Sequence, residues 1–155
     1  MDEFINKLYE KVNKEKFISE FCQLTFTNQQ KKHPNIKRNA RKEARYILSE
    51  YEMFLASIDD CTITKITIEH ILPDSTNMDC VCYIGNLLPL VKSLNKNIKD
   101  SPVSNKITKY KSSSFRSVAE FIKLYESNNV WDESTIKKRT VSLANVFWKQ
   151  IWIIR

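Results

Sequence analysis

Hydrophobic residues recur at helical spacing along most of this chain. Two amphipathic helices are predicted before residue 25, with a break near Asn13, and a third is predicted to begin near Asn39. Ser117-x-x-Glu120 has the form of a capping box, and Asp132 is predicted to cap the last helix. Such apolar stripes usually form core, so we assign these helices to the scaffold. The inward-facing residues of the third and last helices are predicted to be Ala44, Ile47, Leu48, Tyr51, Leu55, Ile136, Leu143, Phe147 and Ile151.

Strand-like sequence is confined to two short runs in the middle of the chain. Residues 62–71 are dominated by isoleucine and threonine, and residues 87–90 form a second apolar run in which Pro89 indicates an edge or an end. Residues 74–83 are predicted to be the connecting loop, and Ser93 is predicted to cap a short helix after the second strand. The predicted order is therefore strand, loop, strand, helix.

An acid beside a histidine, Glu69-His70, ends the first predicted strand. Consecutive strand residues point to opposite faces, so the two side chains are not expected to be buried on the same side. Asn86 follows Gly85, the only glycine and the one residue whose backbone can take a positive φ at little cost, and Asn95 lies in the short helix. An isolated ionisable pair is usually structural. With two asparagines at this spacing, however, the pair suits a one-metal nuclease, because a carboxylate binds a hard cation and imidazole takes a proton from water.

These residues resemble the ββα-metal core of the HNH (His-Me finger) nucleases, and within them the C-terminal domain of GmrSD-type modification-dependent restriction endonucleases. The HNH pattern has an acid-His pair, then Asn-Leu, then His or Asn nine residues on, and Glu69-His70, Asn86-Leu87 and Asn95 stand in those places. The resemblance implies a mainly α fold with a small two-stranded β-hairpin, its ββα core embedded in a helical domain. Further similar positions are Arg45 to Leu48, Glu52, Lys106 to Lys111, Phe115, Trp131, Ile136, Arg139, Leu143 and Trp152.

The resemblance implies a metal-dependent DNA endonuclease that restricts foreign or modified DNA. By resemblance, His70 is the general base, Asn86 holds the loop that aims the His70 ring, and Glu69 and Asn95 bind one Mg²⁺ or Mn²⁺. GmrSD-type enzymes also contain an upstream nucleotide-hydrolysing module, and no Walker motif occurs in these residues. Two alternatives stay open. A catalytically silent nucleic-acid-binding module would bind DNA without cutting it, and a helical interaction domain would not bind DNA.

The chain is expected to form a single domain of residues 1–155. Its predicted parts are a helical N-terminal part (1–60), the ββα core (62–100) and C-terminal helices (102–155). The composition is 42% hydrophobic and 28% charged, which is typical of a globular protein. The single glycine and four prolines argue for few tight turns, as expected of a mainly helical fold.

A formal net charge of +7 suits a polyanionic partner. Residues 31–45 contain seven basic residues and one acid. A solvated helix face and a surface that contacts phosphate explain this run of charge about equally well. We also expect phosphate contacts from the cluster at residues 137–139, and exposure of His33. The candidate DNA-binding residues are Arg38, Arg41, Lys42, Arg45 and Lys99.

No apolar run approaches the roughly 20 residues that span a bilayer, and the first residues lack a signal-peptide layout. We therefore expect a cytoplasmic protein without a membrane partner, whose four cysteines are reduced thiols. Cys80-Val81-Cys82 offers half a zinc site with no second pair, and Val91 and Leu94 stand where many HNH proteins have the first Cys-x-x-Cys pair. No structural zinc is expected, and Asp74 and Asp79 of the loop are expected to be solvated.

Overall fold

The computed structural model describes residues 13–56 and 65–152, which are mainly helical with one two-stranded antiparallel sheet, as the sequence predicted. None of the helices in these two ranges is long and apolar enough to cross a membrane. The first predicted helix and the start of the first predicted strand lie outside the described residues. The elements are α1 (Lys14–Cys22), α2 (Arg41–Ala56), β1 (Ile66–His70), β2 (Leu87–Val91), α3 (Lys92–Ile98), α4 (Val103–Tyr110), α5 (Arg116–Asn128) and α6 (Glu133–Val146), with a π-helix at Phe147–Ile151 and 3-10 turns at Gln30–Lys32, Asp79–Cys82 and Ile84–Asn86.

The β-hairpin lies between two apolar clusters and is covered on both faces. Its register runs from Ile66 opposite Val91 to His70 opposite Leu87. Because side chains alternate along a strand, Ile66 and Leu87 join a cluster formed with α1, α2 and α6. Leu88 joins the other cluster, which α4 and α5 complete. The end of β1 is thereby held between two hydrophobic cores.

Helix α3 follows β2 directly and contacts both strands, which gives the ββα order. The expected N-cap is wrong. The helix begins at Lys92 and its N-cap is Val91, which makes no side-chain capping bond, rather than Ser93. The C-cap residue after Ile98 is Lys99, whose φ of 48° lies in the left-handed region.

Gly85 is required for close packing against α6, and its φ is not positive. A Cβ added at this residue would lie 2.2 Å from Oγ1 of Thr140 and 2.3 Å from the carbonyl oxygen of Ile136. The backbone N–H of Gly85 also donates to Oγ1 of Thr140. A glycine therefore lets α6 contact the turn that immediately precedes β2.

We expect Gly85→Ala to lower the free energy of unfolding by about 1–3 kcal/mol or more, because the methyl group overpacks this contact. Urea unfolding of both proteins measures the change. Adding Thr140→Ala removes the hydroxyl but not the Ile136 carbonyl, so the double variant should recover only part of the loss. A Gly85→Ala protein that unfolds at the wild-type urea concentration would contradict the packing argument.

Helix α5 is capped by a glutamate from α2, and the capping box expected at Ser117 and Glu120 is wrong. The N-cap residue is Phe115, whose side chain makes no capping bond. The backbone N–H groups of Arg116 and Ser117 donate to the Glu52 carboxylate over 2.6 and 2.8 Å, and the Ser117 hydroxyl donates to it over 2.6 Å. This buried carboxylate thus satisfies amides at a helix N-terminus, where negative charge is favoured.

The cap of the last helix is confirmed. Asp132 accepts from the backbone N–H of Thr135, and Thr135 reciprocates by accepting from the backbone N–H of Asp132. This capping box fixes the start of α6, the helix that contacts Gly85.

Candidate functional site

Glu69 and His70 are the last two residues of β1, and both are buried, at 5% and 6% exposure. As expected from strand geometry, they lie on opposite faces of the hairpin. Each therefore needs its own polar partners, and each has them. The candidate site therefore has two parts, one on each face of the hairpin, which we call the Glu69 half-site and the His70 half-site.

The Nε2 atom of His70 lies 2.9 Å from the carbonyl oxygen of Phe26. A carbonyl only accepts, so Nε2 carries the proton and Nδ1 is the basic nitrogen of the neutral ring. Nδ1 makes no hydrogen bond to another described residue, and it is not among the buried polar atoms that lack a partner. Nδ1 is therefore not occupied by any described group.

The surroundings of His70 favour the neutral imidazole. Burial lowers the pKa of His70, and this effect outweighs the opposing influence of the Asp74 carboxylate, whose Oδ1 is 3.8 Å from Nε2. The Phe26 ring stacks on the imidazole with centroids 5.5 Å apart, which fixes its plane. A neutral, oriented ring with one free nitrogen can accept a proton from water.

The Glu69 carboxylate is held on the other face by two residues of α4. Its Oε1 accepts from Nζ of Lys106 over 2.7 Å and from the Tyr110 hydroxyl over 2.8 Å. Lys106, only 1% exposed, also donates to the backbone carbonyl of His70 over 2.6 Å. Burial raises the pKa of Glu69, and the nearby ammonium opposes that rise. Oε2 makes no hydrogen bond to another described residue.

Asn86 is fully buried and uses its side chain to join two loops. Its Oδ1 accepts from the backbone N–H of Leu72 over 2.9 Å and from Nε1 of Trp131 over 3.0 Å. Its Nδ2 donates to the carbonyls of Leu72 and Val81 over 3.0 and 2.8 Å. Both amide atoms are occupied, so the side chain fixes the segment after His70 and is not available to bind a ligand.

Asn95 of α3 lies against β1. Its Nδ2 donates to Oγ1 of Thr67 over 2.8 Å and to the carbonyl of Ile68 over 3.2 Å. Thr67 and Glu69 share one face of the strand, so the Asn95 amide lies on the face that carries Glu69. No hydrogen bond joins Asn95 to Glu69, and Oδ1 of Asn95 accepts none from the described chain.

The five candidate DNA-binding residues, Arg38, Arg41, Lys42, Arg45 and Lys99, are all exposed. The guanidinium of Arg41 lies 5.2 Å from the centroid of the Phe26 ring, which stacks on His70. It also donates to the Asn28 side chain over 2.7 Å. The start of α2 is thereby linked to the His70 half-site.

The cluster at residues 137–139 does not present Arg139 to solvent, so the expected phosphate contact of that residue is wrong. Arg139 is buried and donates to the carbonyls of Gly85 and Leu87 over 2.7 and 3.0 Å. Lys137 is exposed and pairs with Glu133. Arg139 therefore holds the turn before β2 onto α6.

His33 and Asp74 are both buried, so the expectations that they are exposed and solvated are wrong. Nε2 of His33 lies 2.8 Å from the carbonyl oxygen of Asp74. The Asp74 carboxylate accepts from the Thr27 hydroxyl over 2.6 Å and from the backbone N–H of Asn28 over 2.7 Å. These contacts join residues more than 40 positions apart, and no local sequence pattern signals them.

Lys106 and Tyr110 were not predicted as site residues. Their i, i+4 spacing places them on one helix face, and that face also carries the apolar residues Val103 and Ile107. A lysine on an otherwise apolar helix face indicates that its ammonium group pairs with a buried acid, and this signal could have identified Lys106.

The family model of GmrSD restriction endonucleases, C-terminal domain, matches residues 11–146. Neither a search of curated proteins nor a search of solved structures gives a significant match. The matched range contains the hairpin, Glu69, His70, Asn86, Asn95 and α4. The chain therefore belongs to the family of GmrSD restriction endonuclease C-terminal domains.

Proposed function

We propose that this chain is a divalent-metal-dependent DNA endonuclease of the HNH type, with His70 as general base. The observation that carries the proposal is the hydrogen bond from Nε2 of His70 to the Phe26 carbonyl. It leaves Nδ1 unprotonated and without a hydrogen bond to another described residue, so Nδ1 can deprotonate a water molecule. Membership of a restriction endonuclease family supports DNA as the substrate and restriction as the role.

Glu69 and Asn95 are proposed to hold the metal. Each retains a side-chain oxygen, Oε2 and Oδ1, without a hydrogen bond to the described chain, and oxygen is the donor that Mg²⁺ and Mn²⁺ prefer. When bound, the cation would polarise the phosphoryl group and stabilise the leaving oxygen. These two oxygen donors suit such a cation, although the Lys106 ammonium already offsets part of the Glu69 charge.

Asn86 is proposed to act by positioning. Its four hydrogen bonds fix the segment after His70, while the Phe26 ring fixes the imidazole plane. The two constraints limit the directions in which Nδ1 points, and a well-oriented base needs less reorganisation in the transition state.

The metal assignment is tested by Asn95→Ala, with Asn97→Ala as the matched control two residues along the same helix. We expect Asn95→Ala to raise the Mg²⁺ concentration for half-maximal plasmid cleavage by about tenfold or more, because one of the two oxygen ligands is lost. Asn97 is exposed and should leave that concentration unchanged. A shift of equal size in both variants, or in Asn97→Ala alone, would remove Asn95 from the metal site.

The DNA surface is tested by salt dependence. We expect weak binding to unmodified duplex DNA that is lost by about 200 mM salt, and the double variant Lys42→Ala/Arg45→Ala should lower the slope of log affinity against log salt by about 2. Lys16→Ala/Lys123→Ala removes the same charge from the exposed faces of α1 and α5 and should leave the slope nearly unchanged. Fluorescence anisotropy with a labelled duplex at several salt concentrations provides the slopes. Equal reductions in both double variants would show that net charge, and not this surface, controls binding.

A catalytically silent DNA-binding module is the second candidate, and the Lys106–Glu69 ion pair favours it. An ammonium 2.7 Å from the carboxylate reduces the attraction of Glu69 for a second cation. This candidate predicts DNA binding by the same basic surface without cleavage in any divalent ion. The presence or absence of metal-dependent cleavage separates the two.

A further inference from the structure

A second group of metal-binding side chains lies behind the His70 half-site. One ring nitrogen of His33, one carboxylate oxygen of Asp74 and Sγ of Cys82 all lie within 4.8 Å of one another. All three residues are buried, and they come from two separate segments, one around His33 and the loop at residues 74–82. The sequence expectation treated Cys80-Val81-Cys82 as lacking ligand partners, and the fold brings partners to Cys82.

His33 has the hydrogen bonding of a metal-binding histidine. Its Nε2 donates to the Asp74 carbonyl, which fixes the tautomer and leaves a lone pair on Nδ1. Nδ1 is fully buried and has no hydrogen-bond partner in the described structure. In metal sites the ligating histidine almost always donates its other N–H to a carbonyl or carboxylate in this way.

Two carboxylates lie beside the His33 ring, and Oδ1 of Asp74 is 3.5 Å from Nε2. Oδ1 of Asp79 lies 3.9 Å from Nδ1 of His33, while its Oδ2 accepts from the Asn35 side chain over 3.0 Å. The Asp74 carboxylate is oriented by Thr27 and by the backbone of Asn28. Donors held by outer hydrogen bonds are typical of protein metal sites.

We propose that His33, Asp74 and Cys82, with Asp79 as fourth ligand, form a structural zinc site that is separate from the proposed catalytic metal at Glu69. Nitrogen, sulfur and carboxylate donors suit zinc, and a thiolate excludes Mg²⁺ as the preferred ion. Zinc bond lengths of about 2.0–2.3 Å require donors about 3.2–3.8 Å apart. His33, Asp74 and Cys82, whose ligand atoms lie within 4.8 Å of one another, therefore draw together on binding, and Asp79, which lies outside that group, moves towards it. This proposal differs from the sequence expectation that no structural zinc is present.

Binding requires Cys82 to lose its proton to solvent. Burial raises the pKa of the Cys82 thiol to about 12, so the thiol is protonated without a cation and zinc uptake releases a proton. The bound ion would tie the segment around His33 to the loop at residues 74–82. Because Asp74 also faces Nε2 of His70, the ion would stiffen the support of the candidate base.

The test is metal content and cobalt spectroscopy of the whole chain, with Cys82→Ser compared with Cys80→Ser. Cys80 is buried in the same 3-10 turn but lies outside the group, which makes it a matched control. After dialysis against micromolar zinc and then buffer, we expect about one zinc per chain in the wild type and in Cys80→Ser, and at least a tenfold loss in Cys82→Ser. Co²⁺ added to metal-free wild type should give a thiolate-to-cobalt absorption band.

The Co²⁺ measurement needs no variant, so a poorly folded Cys82→Ser protein does not prevent the test. A wild type that retains no zinc and gives no thiolate band overturns the proposal, as does equal zinc retention by both cysteine variants. Asn95→Ala should retain the zinc whether or not the chain cleaves DNA. Zinc binding and the proposed catalysis can therefore fail independently of each other.

Discussion

His70→Ala is expected to lower the rate of metal-dependent phosphodiester cleavage by about 10²–10⁴-fold, the usual contribution of a general base. The Nδ1 atom of the His70 ring is unprotonated and makes no hydrogen bond to another described residue, so it can accept a proton. Removal of the ring takes away the proton acceptor and one hydrogen bond to the Phe26 carbonyl. An activated diester, bis(p-nitrophenyl) phosphate, measures the rate without requiring DNA recognition.

His70→Gln is the matched variant, because its amide can still donate to the Phe26 carbonyl but cannot act as a base near neutral pH. Both variants should lose the same rate, whereas only His70→Ala should also lose stability, by about 1 kcal/mol. DNA binding at low salt should be unchanged in both. Near-wild-type hydrolysis by His70→Gln would show that His70 supports the loop and does not take the proton.

Lys106→Met is expected to destabilise the fold by about 3–5 kcal/mol, because it leaves the buried Glu69 carboxylate without its cation. The Lys111–Glu126 pair provides the control, since its side chains are 59% and 51% exposed. Lys111→Met should cost no more than about 1 kcal/mol. Urea unfolding of the two variants in metal-free buffer gives the comparison.

Two further outcomes identify the cause of this loss. Burial raises the pKa of Glu69, so protonation relieves the unpaired charge, and the deficit should be larger at about pH 7 than at about pH 5. The double variant Lys106→Met/Glu69→Leu replaces the pair by apolar groups and should recover most of the stability. A deficit that is independent of pH and persists in the double variant would point to lost packing of the lysine stem.

Within the described residues, local spacing was sufficient to predict a mainly helical fold with one hairpin. The apolar residues between 44 and 55 recur at helical spacing, and the Asp132 cap depends on hydrogen bonds within one turn. Both features can be read from the local sequence. The opposite orientation of Glu69 and His70 also follows from strand geometry alone. The direction of side chains alternates between adjacent strand residues, so it does not depend on how distant segments pack.

Apart from the misplaced N-cap of α3, the errors occurred where distant segments meet. The Glu52 cap joins α2 to α5, and the contact of Gly85 joins the turn before β2 to α6. The burial of His33 depends on Asp74, 41 residues away. Each of these residues has a plausible local role that tertiary packing overrides, and a single sequence carries no signal for such packing.

The central claim is that the end of β1 is a metal-dependent site for phosphodiester hydrolysis. Its most direct test is relaxation of supercoiled plasmid by excess wild-type chain at low salt, with Mg²⁺ or Mn²⁺ and with a chelator, beside His70→Ala. We expect slow nicking that requires the metal, stops with the chelator and is absent in the variant. Nicking that persists with the chelator or in His70→Ala, or plasmid that is bound but intact in every divalent ion, would contradict the account.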